Sequence, residues 1–477
     1  MDSELRVSDL TVTWRHCLDL GGLEQTEFTK KEALEQSLIE ARGAAAPDAI
    51  YAAQRGAGAR VCSLVAHRCF DFALPAIEVA RLDRVEDLSN DAVAARVGEL
   101  AWMTLRASVL LHHSGVALVR YTARFAEPRD VRTAIRDIRL DLDTLVIRTP
   151  AGLAVGPLDA SQRVWVRRIA DGDGRTTWVA LLRDFTAHVV KDVLRATLGP
   201  LLPAPFEPVR STRVLTSTLI EVDQLDPACP DLGAYSVAHG RALRGIATRD
   251  LAYTTRAPDL VAAALRHNVS QDEELGLFLF GQSDLLVYTE LARSVLPVER
   301  ARLGLADDYA VARYIAAHYA SLLEWVHIEQ YLIELYDRLL TRSMTRDLLP
   351  EDMLSIQRRS MQDLVEYGEG VTAFATRAAF REHARDALGL GDKQERLEKK
   401  RDMVADYVMQ KYSLRTNRGI QMLNLVISAT IAFELMQLAM QIAASDRPVA
   451  WTAASAVVFA GFLVAFVRAY RTLERRR

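Results

Sequence analysis

The strongest constraint on this chain is a pair of apolar segments at its C-terminal end. Residues 419–444 and 449–470 are separated only by Ser445-Asp446-Arg447-Pro448. A helix needs roughly 20 apolar residues to cross a bilayer, and each segment supplies that length. Everything ahead of them mixes polar and apolar residues as a water-soluble body does. The expected fold class is therefore an α+β cytoplasmic head, a long helical stalk and a C-terminal two-helix transmembrane hairpin.

The flanks set the orientation. Lys411, Arg415 and Arg418 precede the first segment, and Arg468, Arg471, Arg475, Arg476 and Arg477 close or follow the second. Short basic flanks stay on the cytoplasmic side. Both termini are expected inside, with 445–448 outside, in a multi-pass protein of the cell inner membrane. Trp451 and Tyr470 lie near opposite ends of the second segment, where aromatic rings favour the interface. Ala453, Ala454, Ser455, Ala456, Ala460 and Gly461 are small enough to let helices approach closely.

The first segment carries polar residues in two sets. At about 100° per residue, Asn417, Gln421, Asn424 and Ser428 share one face. Thr430, Glu434, Gln437 and Gln441 share another, further along. Polar groups facing lipid are costly, so both sets are expected to face protein or water. A pore lining and interhelical hydrogen bonding both meet that demand.

At 477 residues the chain exceeds the usual size of one domain. A charged fraction of 25% with a net charge of -3 gives no case for a nucleic-acid partner. Cys17, Cys62, Cys69 and Cys229 form no CxxC pair and read as buried thiols. The N-terminus, MDSELRVSDLTVTW, carries no apolar run of the secretory type. Helical spacing of apolar residues covers 309–346, and Leu349-Pro350 breaks it. A second run spans 351–388, with Gly368 and Gly370 as weak points and 389–391 as a turn. The charged run 393–418 leads without Gly or Pro into the first span, so stalk and span read as one helix. Residues 1–306 form a mixed α/β domain, with a split near 201–210 marked by prolines. Residues 307–418 are the long-helix and stalk region, and 419–477 the hairpin and basic tail.

Within the head, strands are expected at 10–14, 61–66, 116–125, 145–148, 163–168, 178–182, 212–222 and 275–288. Residues 277–288 read either as two strands joined at 281–284 or as one strand ending there. Asp171-Gly172-Asp173-Gly174 reads as a hairpin turn. Helices are expected at 30–42, 90–110, 184–198 and 258–267. The chain lacks a P-loop, GxGxxG, GxSxG and HExxH, so no catalytic residues are assigned and an enzyme is not expected. His112-His113 on an extended segment point to opposite faces, and His318 and His327 lie on opposite faces of one helix. Asp307-Asp308, Glu351-Asp352 and Asp272-Glu273-Glu274 suit a hydrated divalent cation, and equally suit ordinary surfaces and helix N-termini.

A mixed head, long helices, a stalk running into the first span, a very short outer turn and a basic tail together resemble the CorA-type magnesium channel superfamily. That family usually carries Gly-Met-Asn at the outer end of the first span. Here that end reads Met440-Gln441-Ile442-Ala443-Ala444, and Gly419, Met422 and Asn424 are not contiguous and lie at the other end. The resemblance implies a homo-oligomer, a pentamer, in the lipid bilayer, with magnesium as transported or regulatory ion and no other cofactor. In a divalent-cation channel gated by its head, Asn424 and Ser428 are inner polar rings, Glu434 a mid-membrane charge, and Gln437 and Gln441 the outer lining. The alternative is a signal-gated membrane effector of the bacterial defence type, whose head binds a small ligand and whose spans perturb the membrane. A structural anchor is the third reading.

Overall fold

The computed structural model describes residues 5–20, 69–82, 90–112, 115–150, 166–172, 175–198, 214–266, 268–270, 274–345, 350–371 and 375–443, and the helical positions Ala453, Ala456, Val457, Ala460 and Gly461. It divides into two compact units. One is Met1–Arg346 with Ile356–Lys400; the other is Asp347–Ser355 with Arg401–Arg477.

The first unit is built on one mixed sheet. Its strands are β1 (Arg6–Asp19), β2 (Cys69–Arg81), β3 (Met103–His112), β4 (Val116–Phe125), β5 (Arg129–Asp130), β6 (Leu145–Pro150), β7 (Val166–Gly172), β8 (Arg175–Ala180), β9 (Leu215–Asp226), β10 (Leu275–Phe280) and β11 (Ser283–Tyr288). Their spatial order is β10-β11-β9-β1-β4-β3-β2-β6-β8-β7, and β5 pairs with β1. Every pairing is antiparallel except β11 with β9. β9 lies between β1 and β11, so strands from both sides of residues 201–210 share one sheet.

β1 shows why the sheet forms. Leu10, Val12, Trp14 and Leu18 alternate with Thr11, Thr13, Arg15, Cys17 and Asp19, and a period of two sends the two sets to opposite faces. The apolar set enters a core with Val119 and Tyr121 of β4 and Ile220 and Val222 of β9. That face is covered by α1 (Asn90–Arg96) near the β7 edge, then α2 (Val131–Ile138), α3 (Leu182–Phe185), a π-turn at Thr186–Val190, α4 (Lys191–Leu198) and α5 (Leu232–Thr248). Asp130 caps α2 by accepting from the Thr133 amide at 3.0 Å. Trp14 donates its indole N–H to the Ile138 carbonyl at 2.8 Å, tying β1 to the end of α2. α6 (Pro258–Leu265) packs on α5.

The hairpin expected at 171–174 joins antiparallel β7 and β8. Residues 277–288 are two antiparallel strands, β10 and β11. One expectation is overturned. The helix read over 90–110 ends at Arg96, and Met103–His112 is strand β3. Leu105, Val109 and Leu111 enter the core from one side of β3, and its backbone bonds go to β2 and β4 on either hand. Strand pairing outweighed the weak helical spacing. β2, α2, α5 and α7 (Glu290–Leu303) had not been read from the sequence. The stretches 30–42, 61–66 and 201–210 lie outside the described residues.

The long helices match expectation more closely. α8 spans Asp308–Thr345, α9 Pro350–Val371, α10 Ala375–Ala387 and α11 Leu390–Ala443. α9 runs through Gly368 and Gly370. Gly389 takes the left-handed conformation, φ 61°, that the turn between α10 and α11 requires. α11 is 54 residues long and continues from the charged stalk into the apolar segment. Leu390, Leu397, Val404 and Val408 are buried along it. Among the described residues from 409 to 443, none is buried.

Candidate functional site

The face of the sheet opposite the main core is charged and is covered by α8, which packs on β9, β4 and β1. The alternation of each strand delivers the charges: Arg15 and Cys17 from β1, Arg120 and Arg124 from β4, Glu221 and Asp223 from β9, Asp284 from β11. Arg15 and Arg120 sit directly opposite each other across the β1–β4 pair. Like charges so placed repel, and the partners they receive resolve this. Arg15 pairs with Asp284, both fully buried. Arg120 donates to both Glu324 oxygens at 3.2 Å, and to Ser108 at 3.0 Å.

His327, one helical turn after Glu324 on α8, places Nε2 2.9 Å from the same Asp284 oxygen. Burial pushes the Asp284 carboxyl up, but Arg15 and His327 outweigh it and hold it below the usual carboxylate value. The group is incompletely satisfied. Arg15 Nε and Nη1, Asp284 Oδ1 and His327 Nδ1 are buried without a hydrogen-bond partner. Donors and acceptors left side by side suit enclosed water. Burial also pushes the Cys17 thiol up, so it is inert as a nucleophile.

A second group lies nearer the start of α8. Arg313 pairs with the buried Glu221, and Arg124 pairs with Asp9 at 2.6 Å while stacking on Tyr309. Between them both oxygens of the Asp223 carboxyl are enclosed without a partner. Burial, with Glu221 and Asp9 close by, raises the Asp223 pKa well above the ordinary carboxylate value.

The far side of α8 binds the following helices. Glu329, also buried, receives Arg381 at 3.0 Å and Arg385, both from α10. Lys393 reaches Glu334 at 3.3 Å and Lys400 reaches Asp337 at 2.5 Å, both from the first turns of α11. α8 is thus clamped between the sheet on one side and the base of the stalk on the other. Nothing in the sequence marks this arrangement except the acidic and basic residues spaced along an otherwise apolar helix.

A third network lies in the main core at the π-turn. The Thr186 hydroxyl donates to the Leu182 carbonyl at 2.9 Å, so Tyr121 and the His16 Nδ1–H must donate to it, at 3.0 and 2.8 Å. Burial, with Arg183 and Arg249 nearby, pushes the His16 ring down to about 3, so it is neutral. On the head's surface a cleft of about 460 Å³ is walled by Leu232, Val237, Leu265 and Phe278, with Ser236 and Arg266 among its polar lining.

The polar residues singled out in the apolar segment all lie on α11. Asn417, Gln421, Asn424, Ser428, Glu434 and Gln441 are exposed and Gln437 is half-buried. Of the acidic pairs, Asp307 caps the start of α8, accepting from the Ala310 amide at 2.7 Å, and Asp308 pairs with Arg300. Among the described residues no group of three or more His, Cys, Asp or Glu is placed to hold a metal ion. His112 packs edge-on against Trp325 of α8. His113, Asp272 and Glu273 lie outside the described residues. Comparison with known protein families, characterised proteins and solved structures finds no match to this chain.

Proposed function

We propose that this chain is a CorA-like, oligomeric membrane protein whose α+β head stays on the cytoplasmic side and controls a path through the membrane. The observation that carries this is the apolar end of α11. The helix contains an 18-residue window of mean hydropathy 1.5, none of it buried. A core helix of a soluble protein covers such a surface; a bilayer covers it here. Residues 449–470 complete the hairpin in this reading. Asn424, Ser428, Glu434, Gln437 and Gln441 provide polar groups at successive depths for a divalent cation, driven by the membrane potential. The clamped α8 relays the state of the sheet to the base of the stalk.

The test has two parts. After lysis the full chain sediments with membranes and resists carbonate extraction, and a C-terminal tag is protected from external protease in intact cells. In proteoliposomes the chain passes divalent cations, and Glu434→Ala changes the flux. A chain found in the aqueous fraction sinks the proposal.

A second reading is favoured by the surface cleft beside Leu232 and Phe278. Its volume is that of a small-molecule site. In this reading a bound ligand switches the head and the spans depolarise the membrane. Growth arrest on expression, relieved by truncation at Arg418, distinguishes it from magnesium-dependent growth rescue.

A further inference from the structure

Beginning at Met403, α11 carries a row of residues in alternating steps of four and three: Met403, Tyr407, Gln410, Leu414, Asn417, Gln421, Asn424 and Ser428. Every one of them is exposed. This is the heptad spacing of a helix that packs against another helix. A separate row, Leu390, Leu397, Val404 and Val408, is buried within the chain itself. The exposed row is therefore additional to the helix's own packing.

The row changes character along its length. In the stalk, where the surroundings are aqueous, it is apolar: Met403 is 50% exposed and Leu414 52%. In the following segment, whose other exposed positions include Ile420, Leu423, Leu425 and Ile427, the row is polar: Gln421, Asn424 and Ser428. Each half thus faces the solvent that suits it least. Apolar surface in water and amides in lipid are both unfavourable, and a single covering surface removes both defects only if it changes character at the same height. The same face of a second copy does so. Apolar layers then meet apolar layers and amides meet amides.

We infer that α11 associates with α11 of a second copy of this chain, parallel and in register, through the face running from Met403 to Ser428. Antiparallel or shifted packing sets the amides of one helix against the apolar layers of the other, so the polar layers fix the register as buried Asn does in coiled coils. The 3.5-residue repeat winds the helices in a left-handed sense. Thr430, Glu434, Gln437 and Gln441 lie about half a turn away and stay outside the seam. The upper half of the seam rests on the membrane reading above; the Met403–Leu414 half stands without it.

Single cysteines introduced into the full chain test this directly. Leu414→Cys and Asn424→Cys lie on the seam; Met409→Cys and Thr430→Cys lie off it. Oxidation of native membranes is expected to convert monomer to covalent dimer at 414 and 424. At 409 and 430 the yield should not exceed that of the unsubstituted chain. Equal yields at all four positions, or none at 414 and 424, overturn the inference even when the chain remains membrane-bound. A chain in the aqueous fraction that still crosslinks at 414 keeps the stalk half and removes the membrane half. In nanodiscs, Leu414→Lys is expected to lower the assembled mass without lowering membrane partition; unchanged mass counts against the seam.

Discussion

Asp284 is the residue on which the buried charge layer depends. Replacing it with Ala leaves Arg15 charged and enclosed, and loss of one partner of such a pair costs about 3–5 kcal/mol. Denaturant unfolding of Asp284→Ala should show a loss of that size, and Arg15→Met with Asp284→Leu should recover most of it. Because the folded-state pKa of Asp284 is depressed, its contribution is present above the unfolded value and is lost as pH falls through the folded one. Asp223 has the opposite sign. Its raised pKa gives stability that is full below about pH 4 and lost as pH rises through the folded value. Asp223→Asn should therefore be at least as stable as the natural chain at pH 8 and lack that alkaline decline. His16 is neutral when folded, but its unfolded ring gains a proton below about pH 6.5. Stability should fall by up to ~1.4 kcal/mol per pH unit between there and about 3. His16→Asn, whose amide can keep the bond to Thr186, should not show that fall. None of these roles was legible in the sequence. Arg15, Asp284 and His327 are far apart in the chain, and only the β11–β9–β1 pairing with α8 above brings them together.

At the scale of elements, legibility followed length. α8 and α11 were read nearly to their ends because their patterns persist over many turns and the punctuation is strong: Pro350 opens α9 and Gly389 separates α10 from α11. β3 was misread because a short apolar run fits two periods, and the pairing that decides between them is non-local. α2 and α5 were missed because their identity as helices rests on burial against the sheet. The clamp on α8 gives an element-level prediction. Glu329→Gln removes the charge that holds Arg381 and Arg385, so hydrogen exchange in α10 should rise while exchange in β1 and β9 stays protected. Equal loosening of sheet and α10 would show instead that the substitution unfolds the unit as a whole.

For the molecule as a whole, what matters is a charged, self-contained head and a helix that leaves it with an uncovered apolar end. Deleting residues 419–477 should release the remainder into the aqueous fraction, monomeric or weakly associated through the Met403–Leu414 stripe, as sedimentation would show. The apolar segments, the stalk continuous with the first of them and the polar stripes on α11 all follow from the sequence, because helical periodicity is local and a run of apolar residues is read without knowing the fold. Which face of the sheet carries the charges, which acids meet which arginines, and how α8 comes to lie between sheet and stalk were settled only in three dimensions. Those depend on strand order and register, and these are fixed by contacts between residues hundreds of positions apart.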